Sequence, residues 1–328
     1  MKNISVCMIV KNEEKYIQQC IESILPIAYE IILVDTGSTD KTIEIAKKYE
    51  IVKIFNYKWD NSFSNARNYS LSKATGDFIM VLDGDESLNS QDSEKLIKLI
   101  NETKSDGISI VIDNYNDEKI GENFTTHTNI RVFKKNIFKY VGIIHEQLVP
   151  INKDNKINIS SSDIRINHYG YLQSNIIAKD KRNRNIPMIQ KMIDEDPTNG
   201  FYLFNMGNEY MSKNDYINAI KFYEKSYINK DIKLGYCPHL YYRMAICYNV
   251  LNDPEKGLKI INEALIYYPG FTDIEYLRGT IYASLKRYTL AIDSFNKCIT
   301  MGVPEQNLSF SKNIGTYLPY IEMRSNIF

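Results

Sequence analysis

The chain has 328 residues, 44% of them apolar, and its 40 basic and 40 acidic side chains cancel. That length is generous for one hydrophobic core and suits two domains. The balanced charge excludes a long-range field that would gather nucleic acid or an anionic membrane. Five cysteines (Cys7, Cys20, Cys237, Cys247, Cys298) are far apart, odd in number and without a C-x-x-C or zinc-ligand spacing, which suits a reducing cytoplasmic setting. The first apolar run stops at Lys11-Asn12-Glu13-Glu14, too short for a signal peptide or a membrane span, and no later segment has the length to cross a bilayer.

Ile4 to Val10 is a continuous apolar run of strand length, as a parallel strand buried on both faces requires. Tyr16, Ile17, Cys20, Ile21, Ile24 and Leu25 then fall at helical spacing, closed by Pro26. EIILVD predicts a second strand ending in Asp35, after which Ser38 or Thr39 caps a helix carrying Ile43, Ile45 and Ala46. Val52 to Tyr57 predicts a third strand, and Phe63 to Ala74 a third helix ended near Gly76. Strand and helix alternating over short connections imply a parallel sheet with right-handed crossovers.

The fourth strand is the informative one. Asp77 to Glu86, DFIMVLDGDE, is an apolar run that ends in carboxylates around a glycine. In an α/β domain that strand end opens on the crevice where ligands bind. On extended chain Asp83 and Asp85 share a side-chain direction, and Gly84 lets a ligand come close to the backbone. Hard oxygen donors of this kind suit Mg²⁺ or Mn²⁺ bridging to a diphosphate. Phosphatases of the haloacid dehalogenase type also use a DxD after an apolar strand, but the threonine expected after the second Asp is missing here.

Beyond Asp85 the pattern loosens. Asp92 to Thr103 predicts a helix, Gly107 to Ile112 a strand and Arg131 to Phe133 a shorter one. Two later runs end in polar groups, one at His145-Glu146 and one at His168 within HYGY. The polar segment Asp113 to Thr128 is expected to act as a lid. Asn175 to Asp194 predicts a basic helix broken or kinked at Pro187, on which Lys179, Arg182 and Arg184 either close over a diphosphate or form a solvated face.

After Pro197 the chain repeats itself. Gly207, Tyr210, Ala219, Tyr223 and Ser226 match Ala245, Tyr248, Gly257, Ile261 and Ala264, and both sets match Gly279, Tyr282, Ala291, Phe295 and Cys298. Small residues alternating with aromatics at this spacing resemble tetratricopeptide helix pairs, with aromatics expected to fill the gaps between repeats. Such arrays present a concave face to a peptide or protein. The expected divisions are a first domain over 1–175, a basic linker helix over 176–197 and the repeats over 198–328.

ISVCMIVKNEE, EIILVDTGSTDKT, FSNARNYSLSKATGDFIMVLDGDE, HEQL and HYGY, taken in order, resemble inverting family 2 glycosyltransferases of the GT-A fold. The resemblance covers roughly residues 1 to 175 and implies a UDP-sugar donor with Mn²⁺ or Mg²⁺. It implies that Asp35 meets the uracil or ribose, against a helix-capping Asp before Gly37, with Glu13 a second candidate for the ribose. Arg67 is expected on a base or a phosphate, Asp83 on the ribose or a metal-bound water, and Asp85 on the metal. His168 is the favoured distal metal ligand and His145 its rival. Glu146 is the expected base, taking a proton from a hydroxyl or thiol on the far side of the sugar.

A sugar-transfer domain joined to helical repeats also resembles the glycocin peptide S-glycosyltransferases, which act on Cys or Ser of precursor peptides. That resemblance favours UDP-glucose and a peptide or protein acceptor. Two other classes stay open: a transferase building surface polysaccharide or lipopolysaccharide core, whose repeats serve a homodimer or a partner, and a scaffold whose enzyme half has decayed. The presence of Asp35, Asp83, Asp85 and Glu146 weighs against the last.

Overall fold

The computed structural model describes residues 2–115, 124–169, 175–302, 310, 311 and 313–327. The chain divides into two compact units: Met1–Phe124 with Thr128–Ser174, and Asn175–Phe328 with Thr125–His127.

In the first unit the elements run β1 (Ile4–Val10), α1 (Ile17–Ile24), β2 (Glu30–Asp35), α2 (Thr42–Ala46), β3 (Val52–Asn56), α3 (Phe63–Lys73), β4 (Phe78–Val81) and β5 (Glu86–Leu88). They continue with α4 (Ser93–Glu102), β6 (Gly107–Tyr115), β7 (Phe124–Lys134), β8 (Phe138–Val141), β9 (Gln147–Pro150) and β10 (Ile159–His168). The sheet order is β3-β2-β1-β4-β7-β6-β10-β5, and β8 and β9 form a separate hairpin. The β1–β2, β2–β3 and β1–β4 pairs are parallel, while β4–β7 is antiparallel. A mixed half thus follows a parallel one, the GT-A arrangement.

Both sheet faces are covered. Val6 and Met8 of β1 join one cluster with Ile17 and Ile21 of α1, and the intervening Cys7 joins the other with Ile79, Phe133 and Phe138. The α1 residues Ile17, Cys20, Ile21 and Ile24 are buried at the expected helical spacing. Ser62 caps α3 by accepting from the Asn65 N–H at 3.2 Å, and the small Ala66 and Ser70 let that helix lie close to the sheet. Gly76 is forced by the same closeness, since a Cβ there would come within 2.8 Å of the Asn3 carbonyl. β7 is a long strand rather than the short one expected over Arg131 to Phe133, because its outer half is polar and carries no apolar signal.

Glu30, 2% exposed at the start of β2, ties three strands together. Its Oε1 accepts from Ser5 Oγ (2.6 Å), Thr75 N (2.6 Å) and Thr75 Oγ1 (2.8 Å), and Oε2 accepts from Lys53 Nζ (2.6 Å). Burial alone would raise the carboxyl, but Lys53, Ser5 and Thr75 bring it from 4.5 down to about 2. Its contribution to stability is therefore complete above about pH 4.5 and is lost as the pH falls towards 2. Glu30→Gln is expected to remove up to about 3 kcal/mol at neutral pH and to flatten the acid limb of the unfolding curve. Trp59, the single tryptophan, reports on this unit by fluorescence.

The second unit opens on α5 (Asn175–Glu195), which runs through Pro187 instead of ending there, and continues with α6 (Gly200–Met211), α7 (Tyr216–Ile228), α8 (Cys237–Val250), α9 (Pro254–Tyr267), α10 (Thr272–Ser284), α11 (Tyr288–Met301) and α12 (Leu318–Ile327). The pairs α6–α7, α8–α9 and α10–α11 are the three repeats. Each inter-helix turn contains one residue of positive φ, Asn214, Asn252 and Lys286, at the same offsets as the sequence repeat. Asp215 and Asp253 then cap α7 and α9.

The repeat's small–large alternation has a packing cause within each pair as well as between pairs. The rings of Tyr223 and Phe295 sit against Gly207 and Gly279 of the preceding helix, and between the first two pairs Tyr227 meets Tyr241 with ring centres 5.7 Å apart. A Cβ on Gly279 would lie 2.6 Å from Phe295 Cε1. Phe295 is fully buried and its ring cannot give way. Gly279→Ala is therefore expected to destabilise by about 1–2 kcal/mol, the overpacking outweighing the better helix propensity of alanine. Thermal melts followed by far-UV circular dichroism should shift down while the Trp59 transition stays in place.

Candidate active site

β4 ends at Val81, so Asp83, Gly84 and Asp85 stand on a turn at the carboxyl end of a central strand. The chain is not extended there, and the two aspartates do not share one set of partners. Asp83 Oδ1 accepts from Arg67 Nη2 at 2.9 Å and its Oδ2 lies 3.8 Å from Arg131 Nη1. The Asp83 N–H donates to Glu86 Oε2 at 2.9 Å, and Glu86 Oε1 accepts from Arg131 Nη2 at 2.7 Å. On the other side, Arg67 Nε donates to Glu146 Oε1 at 2.5 Å. The result is a chain of alternating charge: Glu86, Arg131, Asp83, Arg67, Glu146.

This chain is largely out of water. The side chains of Glu86, Arg67, Arg131 and Glu146 are 1%, 11%, 12% and 13% exposed. Burial alone would raise Asp83, but the guanidiniums of Arg67 and Arg131 outweigh it and hold the carboxyl well below the usual range. Glu86 goes the other way: burial, joined by the Asp83 charge, pushes it up against the pull of Arg131. Arg67 also lies over the Tyr140 ring, 5.6 Å from its centre. Arg67, Arg131, Tyr140 and Glu146 line a small open cavity of about 100 Å³ together with Ile130 and Leu148.

Asp85 turns to a different partner. Its Oδ2 lies 3.6 Å from His168 Nε2, and its carbonyl accepts from the Tyr169 N–H at 3.0 Å. His168 Nδ1 stands 2.7 Å from Asn114 Oδ1, and its Nε2 faces Asp85. Tyr169 is sandwiched between Tyr16 and Tyr115, with ring centres 5.9 and 5.7 Å away, and this stack fixes the end of β10.

The Asp85–His168 pair fits a divalent ion. Two neighbouring ligands of an octahedral ion lie about 3 Å apart, so the pair, now 3.6 Å apart, would draw together to share one, and a histidine whose other nitrogen is engaged by an amide oxygen has the orientation metals select. Among the described residues no group of three or more His, Cys, Asp or Glu is arranged for a metal. An ion at this place would therefore rest on these two side chains and draw the rest of its shell from water and diphosphate oxygens.

Asp35 Oδ1 accepts from the N–H groups of Gly37 (3.3 Å) and Ser38 (2.9 Å), so it ties the turn after β2 instead of capping α2, whose N-cap is Lys41, and the same bonds orient its second oxygen. Gly84 is needed by the protein's own packing: a Cβ there would meet Glu13 Cγ at 2.9 Å and Val10 Cγ1 at 3.2 Å. Glu13 thus sits directly against the aspartate turn. His145 is exposed, with a φ of 51°, and its carbonyl accepts from Gln147 Nε2 at 3.0 Å. The side chains of Lys179 and Arg182 lie outside the described residues, as do 116–123 of the expected lid and the last two residues of HYGY. Arg131, Glu86, Asn114 and Tyr140 went unassigned in the sequence; the one available signal was a charged residue heading the apolar Val132-Phe133.

Residues 5–153 match the family described as glycosyl transferase family 2. The first unit is a family 2 glycosyltransferase domain. Residues 202–227 and 275–301 match the tetratricopeptide repeat, which marks the first and third helix pairs. The SPbeta prophage-derived glycosyltransferase SunS of Bacillus subtilis (strain 168) is 28% identical over 303 residues, 91% of this chain and 69% of that protein. An uncharacterized glycosyltransferase of Haemophilus influenzae is 40% identical over 107 residues, 30% of this chain and 43% of that one. The solved structure of S. aureus TarS 1-349 has 16% identity and a TM-score of 0.41 over 79% of this chain and 90% of its own. The enzyme is thus a glycosyltransferase with tetratricopeptide repeats, and among its described residues no helix is long and apolar enough to cross a membrane.

Proposed function

We propose that this glycosyltransferase moves a hexose from a UDP-sugar to a cysteine or serine side chain of a peptide or protein, with inversion, in the cytoplasm. The observation that carries this reading is the double contact of Arg67. One guanidinium touches both Asp83 and Glu146, so the proposed base stands one side chain away from the proposed diphosphate turn. The match to SunS along 91% of the chain, too long for one unit alone, supports a shared two-domain plan.

In the proposed reaction Glu146 takes the proton of the acceptor thiol or hydroxyl as its sulfur or oxygen attacks C1 of the sugar. The new bond forms on the face opposite the diphosphate, the C1–oxygen bond breaks, and its electron pair leaves with UDP. A divalent ion beside Asp85 and His168, when bound, would offset the charge developing on the diphosphate. Asp35 and Glu13 are proposed to receive the uracil and ribose, Asp35 through the oxygen that the turn leaves over. A thiol acceptor asks less of the base than a hydroxyl, because its pKa is near 8.5. The repeats are proposed to dock the polypeptide that carries the acceptor.

The test uses the full chain with Mn²⁺ and a panel of UDP-sugars, following UDP release and, by mass spectrometry, hexose adducts on cysteine- and serine-bearing peptides. A peptide adduct supports the reading. UDP release with adducts on glycan acceptors alone removes the peptide, and no UDP release with any donor removes the donor class.

A further inference from the structure

The alternating chain reaches further than the groups that meet substrate. Arg131 comes from β7, on the opposite side of β4 from β1, and its guanidinium lies 2.7 Å from Glu86 and 3.8 Å from Asp83. Asp83 in turn holds Arg67, and Arg67 holds Glu146. The hydrogen-bonded links are directional: Arg131 to Glu86, the Asp83 N–H to Glu86, and Arg67 to both Asp83 and Glu146. Glu86 anchors the far end: it is 1% exposed and bridges the Arg131 guanidinium to the Asp83 backbone, while the 3.8 Å contact of Arg131 with the Asp83 carboxylate adds a non-directional attraction. The chain that results runs from the sheet interior to the carboxylate assigned as base.

We propose that Arg131 is a positioning residue for the transfer reaction, setting the orientation of Glu146 through Asp83 and Arg67 without touching donor or acceptor. The inference rests on the reading of Glu146 as base. A carboxylate that must face both C1 and the acceptor atom loses rate steeply when it is misplaced, and about a hundredfold for a shift of about 1 Å is usual. Arg131 therefore acts on turnover more than on donor affinity, because Glu86 still holds the Asp83 N–H when Arg131 is changed.

The experiment compares Glu146→Gln, Arg131→Gln, Arg131→Lys and the double variant Glu146→Gln/Arg131→Gln, each tested for UDP-glucose affinity by calorimetry and for turnover as UDP release. Arg131→Gln is expected to lower kcat by about 30- to 100-fold with UDP-glucose affinity within about twofold, and Arg131→Lys to recover part of the loss. Without Glu146 there is nothing left to position, so adding Arg131→Gln to Glu146→Gln is expected to change turnover by less than about twofold. Multiplicative losses in the double variant, or an unchanged kcat in Arg131→Gln, overturn the proposal. Where Arg131→Gln does not fold because Glu86 is left unpaired, Glu86→Gln/Arg131→Gln removes both buried charges, retains an oxygen for the Asp83 N–H, and replaces it in the same cycle. Full turnover in Glu146→Gln itself would remove the base, and with it this inference, whereas an inactive Glu146→Gln beside a fully active Arg131→Gln removes the inference alone.

Discussion

Glu146→Gln is expected to lower turnover by about a thousandfold while UDP-glucose binds as before. General-base catalysis by a positioned side chain contributes about 10²–10⁴-fold, and glutamine keeps the shape of the side chain while losing its ability to take a proton. Oε1 of Glu146 already accepts the Arg67 Nε–H, an interaction that the amide oxygen of glutamine can reproduce, so the change is confined to chemistry. The measurement is single-turnover transfer beside calorimetric donor affinity. Turnover within tenfold of wild type would remove Glu146 from the role of base. A serine acceptor is expected to suffer more than a cysteine acceptor of the same peptide, because a thiol loses its proton to water far more readily than a hydroxyl does.

Arg67→Ala is expected to have the largest effect on stability. The guanidinium is 11% exposed and stands between two carboxylates, so its removal takes the hydrogen-bonded partner from both Glu146 and Asp83 and leaves Asp83 the longer contact with Arg131. Stripping one partner from a buried pair costs about 3–5 kcal/mol, far above the value of a surface pair. Trp59 fluorescence in denaturant should show a transition at lower urea, while the helical signal of the repeats, which carry none of these residues, keeps its midpoint. Arg67→Lys can serve one carboxylate but not both, and its midpoint should fall between those of wild type and alanine. An Arg67→Ala midpoint equal to wild type would mean that the ion pairs are solvated in solution and that the chain of charge does not hold Glu146.

Most of the architecture was legible because it rests on local periodicity. The run ISVCMIV suits a doubly buried strand by its length and apolar continuity, and Ile17, Cys20, Ile21 and Ile24 mark a helix face by spacing. The repeats were legible for a similar reason, since Gly207 with Tyr223 and Gly279 with Phe295 are volume pairs that recur at a fixed distance along the chain. The outer half of β7 was not legible. Its polar residues pair with neighbours remote in sequence, and no local pattern encodes such pairing.

By itself the sequence determined the parallel half-sheet, the aspartates that follow its fourth strand and the helix pairs. Strand burial, helix faces and turn residues depend on neighbours within a few positions, so a linear reading recovers them. Only the tertiary structure decided which charge meets which. Arg67 and Glu146 are 79 residues apart, His168 and Asn114 are 54 apart, and Arg131 and Glu86 are 45 apart. The last two pairings follow from strand order, which places β7 beside β4 and β10 between β6 and β5, whereas the first joins α3 to the turn before β9. That order separated two aspartates which looked equivalent in DGD: Asp83 went to the guanidiniums and Asp85 to the histidine, because each strand end brought its own partner to the same turn.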